Sequence, residues 1–476
     1  MSNIDHSAGA QPRDRSFRDF VAWALVGVLP WLLYLRLEQL LPFEQTMFLT
    51  LALAAIVMWI FRLTPDFVPG LALILVVTLL DLVPQSIAFS GFYSQIFFLV
   101  FGIFVLAALL AETSWLNRLE AMLVRRNASF PTRLFAVVCA GVLLTLVVPS
   151  PLGRASMIQP LVQRFFRPDR ARKNAFLALV HIHGTTLIST IILTGNPLNF
   201  VLIGMLNEQM RGRFQWMGWL QAASVAGVVM AAGFVAAMFF FAAAARKASA
   251  AGGTEPRQCA PPIAVVSDPL RDWATLGLYV FLMAAILTRS IHQVPLEWIV
   301  LSLAMSVFFF SGISLATLRQ KFDWPTLIFV ATVVAWGPML DHLGLSQWLA
   351  DQLPVLVPIF ERNLYLGMAI TMAGVFVIRL AVPGAPAFII LASTLIPFAE
   401  VIGISPWVLG FVILTVSEGF IWPYQHGVFS QAITMLDAER IAYRMQTLIT
   451  FNILFFMLRC AAIFISIPFW KALNLI

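Results

Sequence analysis

Apolar runs long enough to cross a lipid bilayer recur along this chain and limit what it can fold into. About 20 apolar helical residues cross a bilayer core. The uninterrupted runs are residues 20–36, 45–62, 67–83, 95–112, 215–243, 271–290, 295–314, 324–341 and 445–470. The chain is 60% hydrophobic and only 11% charged, unlike a soluble domain. We therefore expect an all-α polytopic membrane protein.

Two further apolar runs, residues 133–165 and 363–400, are broken by helix-breaking residues near their middles. The breaks are Pro149, Pro151 and Gly153 in the first run and Pro383, Gly384 and Pro386 in the second. Non-helical backbone at membrane depth is tolerated where protein or a wet cavity satisfies it. The pattern predicts two re-entrant hairpins whose turns lie inside the protein.

An interrupted run follows each hairpin. Residues 174–210 are broken at 195–197, and residues 405–435 are broken around 423–427. We expect two broken helices, whose freed backbone amides and carbonyls face a site near the middle of the membrane.

The same order of elements thus occurs twice. Corresponding span starts, hairpin turns and helix breaks lie about 230 residues apart. Each unit makes five crossings, because a hairpin makes none, and an odd number inverts the next unit. The sequence predicts about 11 transmembrane helices in inverted repeats. The expected divisions are 1–44, a cytoplasmic N-terminus and first helix; 45–244, the first repeat; 245–270, a cytoplasmic linker; and 271–476, the second repeat.

The positive charges favour one orientation. With a cytoplasmic N-terminus, 21 of the 30 lysines and arginines fall on the cytoplasmic side and six on the outer side. This bias follows the positive-inside rule, so the net charge of +7 does not indicate a nucleic-acid partner. We expect a multi-pass protein of the inner membrane, with its C-terminus outside.

The breaks carry the polar candidates for a substrate site. Candidates for substrate contact are Ser150, Asn196, Asn199, Gly384 and Gln425. Their alternative role is to satisfy backbone groups that the breaks release. Helix amino termini at such breaks favour anions.

Arg154 lies beside the first hairpin turn, inside an apolar run. A charge at membrane depth should face the interior and have a partner. Arg154 is therefore a candidate ligand for an anion, because its planar fork matches a carboxylate or sulfate. The alternative is a buried ion pair with Glu418.

Three further residues are candidates for ion pairing or energy coupling. Glu418 precedes the second break, and burial suits a carboxyl to proton transfer. His426 lies in the break, and histidine as a residue type gains and loses protons near neutral pH. Arg379 lies close to the second hairpin turn and is a weaker candidate.

Residues 150–160 and 195–199 carry a family resemblance. They resemble the first hairpin motif and the first helix break of the divalent anion/sodium symporter family, with its citrate-transporter-like permeases in the ion transporter superfamily. The resemblance covers about residues 45–470. It implies import of dicarboxylates, citrate, sulfate or related anions, an elevator-like movement and a homodimer.

The chain departs from that family where sodium would bind. The resemblance implies Asn and Thr after Ser150, but Pro151 and Leu152 stand there. The second hairpin turn has neither Ser, Asn nor Thr. These departures disfavour sodium as a coupling ion, and they leave Arg154 to supply the positive charge. We expect no other cofactor.

The leading hypothesis is a secondary active transporter of small anions coupled to protons or working by exchange. The alternatives are a passive anion channel and a non-transporting membrane scaffold on the same fold. A membrane-embedded enzyme is disfavoured, because the sequence lacks clustered Asp, His or Glu with metal or nucleophile spacing.

Overall fold

A computed structural model describes residues 17–115, 118, 129–166, 171–248, 268–310, 315–351, 357–382, 384–441 and 443–476. Every regular element in these residues is helical, as the sequence predicts. The first helices are α1 (Phe17–Leu37), α2 (Phe43–Phe61), α3 (Phe67–Leu79) and α4 (Gln95–Leu110). Two short helices, Gln85–Ala88 and Ser90–Tyr93, connect α3 to α4.

The first predicted hairpin is a pair of packed helices, α5 (Phe130–Thr145) and α6 (Pro151–Phe165). The helix ends where Pro149 and Pro151 predict a break. A proline removes a helical donor, and it disfavours helical backbone in the residue before it. Pro151 itself occupies the first turn of α6, where the missing N–H costs nothing.

The first broken helix consists of α7 (Ala171–Thr186) and α8 (Pro197–Met205), with a 3-10 turn at Leu193–Gly195 between them. The break starts at residue 187, earlier than the predicted 195–197. The side-chain amide of Asn199 explains the length of the break. Its Nδ2 donates to the carbonyls of Ser189, Ile192 and Leu193 at 3.0, 2.8 and 3.2 Å, so these carbonyls need no helical partner.

The long helix α9 (Trp216–Ala248) follows a short helix at Glu208–Arg213. The second half begins with α10 (Pro269–Leu287), α11 (Leu296–Phe310), α12 (Trp324–Val334) and α13 (Trp336–His342). The predicted linker lies mostly outside the described residues, as do residues 1–16 of the predicted cytoplasmic N-terminus.

The last helices are α14 (Leu364–Ala381), α15 (Gly384–Val401), α16 (Pro406–Ser417), α17 (Gly427–Ala438) and α18 (Met445–Ala472). Pro383, in the second predicted hairpin turn, lies outside the described residues. The second break runs from residue 418 to 426 and holds a 3-10 turn at Pro423–Gln425.

Six helices in the described part of the chain are long and apolar enough to cross a membrane. They are Asp19–Leu37, Phe43–Phe61, Trp216–Phe239, Trp324–His342 (α12 and α13 taken as one span), Gly384–Val401 and Met445–Ala472. Shorter apolar helices, among them α3, α4, α5, α11 and α16, lie between them.

The helices pack as two groups that together hold the cavity described below. In the framework group, comprising α1–α4 and α10–α13, α4 packs against α11 and α3 against α12. In the broken-helix group, comprising α5–α9 and α14–α18, α7 packs against α5, α6 and α17, and α9 packs against α18. The groups touch where α8 meets α4, α12 and α13, where α2 meets α15 and where α9 meets α10.

Candidate functional site

A cavity of about 750 Å³ lies between the two groups. The framework group contributes Arg62, Thr64, Asp66, Asp323, Thr326 and Phe329. The broken-helix group contributes Ser150, Asn196, Gly384, Glu418, Gln425 and His426. Residues at the amino termini of four helices, α6, α8, α15 and α17, therefore line one space.

Three of these helix starts are capped by candidate residues. The Ser150 hydroxyl accepts from the Gly153 N–H at 3.1 Å. Asn196 Oδ1 accepts from the N–H of Leu198 at 2.9 Å, and His426 Nδ1 accepts from the N–H of Val428 at 3.2 Å. At α8, this capping and the bond from the Asn199 N–H to the Asn196 carbonyl at 3.1 Å use the first-turn donors, since Pro197 has no N–H. The four helix starts place the positive ends of their dipoles at the cavity.

Glu418 connects the two breaks. Its Oε2 accepts a hydrogen bond from Asn196 Nδ2 at 2.6 Å and lies 3.7 Å from His426 Nε2. Glu418 as a residue is 5% exposed, and it lines the cavity. Asn196, Glu418 and His426 thus form one polar cluster that joins the first break to the second.

The side chain of Gln425 forms hydrogen bonds with main-chain atoms in and near the second break. Its Oε1 accepts from the N–H groups of Ile421 and Trp422 at 2.7 and 3.0 Å, and its Nε2 donates to the Arg379 carbonyl at 2.9 Å. Gln425 borders the cavity, but its polar atoms hold the main chain. This contact pattern matches the backbone-satisfying role that the sequence left open.

Gly384 lies at the start of α15 and lines the cavity. A Cβ atom there would lie 3.1 Å from the Ser417 carbonyl oxygen and 3.7 Å from the guanidinium carbon of Arg379. Glycine therefore lets α15 approach the second break closely.

Arg154 is fully buried and does not line the cavity. Its guanidinium donates to the carbonyl of Val148, to that of Gly195 at 2.7 Å and, through two nitrogens, to that of Thr185 at 3.2 and 2.6 Å. The direct ion pair with Glu418, which the sequence offered as an alternative, is replaced by these carbonyl bonds. The two residues interact electrostatically over a longer distance.

Arg379 and Arg459 are also buried and bond to carbonyls. Arg379 donates to Val382, Gly419 and Gln425 at 2.8, 3.1 and 3.1 Å. Arg459 donates to Thr415 and Thr186 at 3.4 and 3.0 Å, near the carboxyl ends of α16 and α7. Both interact electrostatically with Glu418. Three buried guanidinium groups behind the cavity wall therefore interact electrostatically with the Glu418 carboxylate that lines the cavity.

The framework wall of the cavity was not identified from the sequence. Arg62 Nη2 donates to the Tyr424 carbonyl at 3.0 Å and links the loop after α2 to the second break. Asp66, in the same loop, has a carboxyl pKa raised by burial, an effect that Arg62 partly opposes. Asp323 caps α12 through the N–H of Thr326 at 3.2 Å. The acids at the starts of α3 and α12 were the only sequence signal for this wall.

The structure brings most of the predicted residues to one place. Ser150, Asn196, Gly384, Gln425, Glu418 and His426 line the cavity. Arg154, Asn199 and Arg379 lie behind it and bond to main-chain carbonyls. The cavity therefore combines four helix amino termini with nearby fixed positive charge, an arrangement that favours a small anion.

Comparisons with known proteins agree with this arrangement. The sequence pattern of the citrate transporter family matches residues 20–416. A membrane protein of Cupriavidus necator is 22% identical over 354 residues, which cover 71% of this chain and 68% of that protein. The family match spans well over half of the chain and confirms the resemblance to citrate-transporter-like permeases. The chain is a multi-pass membrane protein that belongs to the citrate transporter family.

Proposed function

We propose that this protein is a secondary active transporter of a small anion, of the di- or tricarboxylate, sulfate or related type, across the inner membrane. The observation that carries the proposal is the meeting of four helix amino termini at one cavity. A charge at a helix amino terminus is stabilised by about 0.3–1 kcal/mol, and by up to ~2 kcal/mol in partly buried geometry. Four such ends at one cavity favour binding of an anion without an obligatory metal.

Within the proposed site, Asn196 and the first-turn amides of α6, α15 and α17 bind the anion. Ser150 and Gly384 shape the two hairpin turns around it. Glu418 and His426 are the coupling candidates, because they lie together at the cavity and 3.7 Å apart. An anion arriving beside an ionised Glu418 is repelled, so we assign proton coupling or anion exchange to this pair.

The proposed topology has about 11 transmembrane helices, with re-entrant hairpins at α5–α6 and α14–α15 and broken helices at α7–α8 and α16–α17. The recurring order of these elements supports inverted repeats at 45–244 and 271–476, with 1–44 and 245–270 as the cytoplasmic N-terminal part and linker. The charge bias supports a cytoplasmic N-terminus and an outer C-terminus. Arg125, Arg126, Arg167 and Arg170, which contribute to that bias, lie outside the described residues.

Alternating access is proposed to occur by an elevator-like movement of the broken-helix group against the framework group. The position of the cavity between the two groups supports this mechanism. Its framework wall, residues 62–66 and the start of α12, lies on the side that we expect to be cytoplasmic. In this proposal the conformation is inward-facing, and the framework group carries the homodimer contact.

Sodium coupling is disfavoured in this proposal. Sodium needs several hard oxygen ligands, and Pro151 and Leu152 offer no side-chain oxygen at the first hairpin turn. Several main-chain carbonyls freed by the breaks are bonded to arginine or to Asn199. Proton gradients or exchange of anions then supply the driving force.

A thermal-shift screen of the purified protein tests the substrate class. Dicarboxylates, citrate, sulfate, and sulfonated or phosphorylated anions are added with and without sodium. We expect at least one anion to raise the unfolding temperature, by the same amount with and without sodium. A shift seen only with sodium would overturn the coupling argument.

Concentrative uptake separates the transporter from its rivals. Proteoliposomes are loaded with buffer and given the anion identified above, with and without a pH gradient. Accumulation above equilibrium supports a secondary transporter, equilibration alone supports a passive channel, and no flux despite binding supports a non-transporting scaffold.

A further inference from the structure

Two buried arginines, Arg154 and Arg379, make equivalent contacts in the two halves of the molecule. Each donates to the carbonyl of the valine at a hairpin turn, Val148 for Arg154 and Val382 for Arg379. That valine precedes a proline in both cases, Pro149 and Pro383. Each arginine therefore occupies the carbonyl left free where the first arm of its hairpin ends.

The second shared contact lies at the helix breaks. Arg154 reaches the carbonyl of Gly195, the last residue of the first 3-10 turn, and Arg379 reaches that of Gln425, the last residue of the second. The next residue in each half, Asn196 or His426, caps the following helix. The two guanidinium groups thus sit directly behind the capping residues of the cavity.

The third shared contact lies near the carboxyl end of the first half of each broken helix. Arg154 donates to Thr185 near the end of α7, and Arg379 donates to Gly419 just beyond the end of α16. Carboxyl ends of helices carry partial negative charge and attract cations. In discontinuous transporter helices, such ends and the unwound carbonyls are the places where coupling cations bind.

The two arginines reach these equivalent positions from opposite arms of the hairpins. Arg154 follows its turn, in the first turns of α6, whereas Arg379 precedes its turn, in the last turn of α14. The hydrogen bonds of both guanidinium groups end on main-chain carbonyls. Each therefore keeps its positive charge, which an ion pair would have cancelled, close to the cavity.

We propose that Arg154 and Arg379 are a matched pair of built-in cations, each of which positions a hairpin turn against a helix break and holds the anion site positive. This inference rests on the proposed anion transport, and it explains why no dissociable cation is needed at these carbonyls. Both are positioning residues, because each acts through the capping residue of a neighbouring helix, Asn196 for Arg154 and His426 for Arg379.

The inference is tested with Arg154→Ala, Arg379→Ala and a matched control, Arg211→Ala. Arg211 also donates to carbonyls, those of Leu206 and Gly204 at 2.6 and 2.9 Å, but at the end of α8 away from the cavity. Thermal unfolding of each purified variant is followed with millimolar methylguanidinium and, separately, with tetramethylammonium.

We expect the unfolding temperatures of Arg154→Ala and Arg379→Ala to fall, and methylguanidinium to restore each of them at least in part. Tetramethylammonium has the charge but no N–H donors, so it should not restore either variant. The control should not respond to methylguanidinium. Absence of rescue in both site variants would overturn the positioning role. This readout needs no transport, so it stays informative if the proposed function fails.

Conservative variants test the role of charge, and they serve if the alanine variants do not fold. Arg154→Lys keeps the positive charge but loses the planar guanidinium with its several N–H donors, and Arg154→Gln loses the charge. For the anion found by thermal shift, we expect Arg154→Gln to weaken binding by about tenfold or more, with Arg154→Lys in between. Equal binding by the Lys and Gln variants would overturn the electrostatic role. If the wild type binds no anion while methylguanidinium rescue succeeds, the proposed function fails and the positioning role stands.

Discussion

Asn196 and Glu418 are joined by a 2.6 Å hydrogen bond between Nδ2 of the amide and Oε2 of the carboxylate, across the two helix breaks. The residues are 222 positions apart in the sequence, so this bond ties one half of the chain to the other at the edge of the cavity. Asn196 also caps α8 through its Oδ1. One side chain therefore sets both the helix start and the position of the carboxylate.

Asn196→Asp should keep the helix cap and remove the donor to Glu418. Two carboxylates then face each other, and like charges at this distance disfavour ionisation of both. We expect weaker anion binding near neutral pH and partial recovery in acid, measured as the dissociation constant against pH. Asn207→Asp, at the exposed cap of the helix Glu208–Arg213, is the matched control and should not change binding. Unchanged binding by Asn196→Asp at neutral pH would contradict the assigned contact.

Gly195→Ala should destabilise the first helix break. The added Cβ would lie 2.6 Å from the Ser189 carbonyl oxygen and 2.8 Å from Thr145 Cγ2, so the main chain must move. Overpacking of this kind costs about 1–3 kcal/mol, which should appear as a lower unfolding temperature. Gly427→Ala is the control, because its Cβ meets only Leu152 carbons at 3.8 and 3.9 Å. Equal unfolding temperatures for the two variants would contradict the packing described here.

Gln425→Leu should affect stability more than substrate recognition. The substitution leaves the N–H groups of Ile421 and Trp422 and the Arg379 carbonyl without their side-chain partner. A buried polar group left unsatisfied costs about 1–3 kcal/mol. Gln431→Leu, on the partly exposed face of α17, should cost less. For both variants, the unfolding temperature and the anion dissociation constant are measured. If Gln425→Leu has normal stability but does not bind the anion, Gln425 is instead a direct ligand.

The carboxyl of Asp66 should give anion binding a pH dependence. Burial raises its pKa above the usual value, and Arg62 partly opposes the shift. Because the folded pKa exceeds the unfolded one, its contribution to stability is fully present below the unfolded value, about 3.9, and is lost as pH rises through the folded value. A protonated Asp66 does not repel an anion at the cavity mouth, so binding should strengthen as pH falls through the folded pKa.

Asp66→Asn should remove this component of the pH dependence of anion binding. Arg62→Gln should move the component to higher pH, because it removes the charge that lowers the Asp66 pKa. The anion dissociation constant is measured across the acid range for both variants. If the dissociation constant of Asp66→Asn follows the same pH profile as that of the wild type, Asp66 does not contribute to the pH dependence of anion binding.

Much of the fold follows from local sequence signals. Apolar runs located the helices, and Pro149, Pro151 and Pro197 located breaks, because proline ends or starts a helix for steric reasons. The first break is longer than predicted. Asn199 supplies donors to three carbonyls from the next helix, and no local pattern announces such a contact.

The site was predictable in its residues but not in their roles. The sequence placed Arg154 at the first hairpin turn, yet only the fold shows that its fork meets carbonyls and lies behind the cavity. The equivalence with Arg379 was hidden because the two residues lie on opposite arms of their hairpins. The framework wall was missed because Arg62 and Asp323 are distant in sequence from every break.

Uptake of citrate into proteoliposomes in sodium-free buffer, driven by a pH gradient or by preloaded anion, tests the central claim most directly. The claim is that the cavity at the four helix starts binds and moves a small anion without sodium. It predicts saturable accumulation of citrate or of the anion selected by the thermal-shift screen, unchanged by added sodium and impaired in Asn196→Asp. Strict dependence on sodium, or equal uptake by wild type and Asn196→Asp, would contradict it.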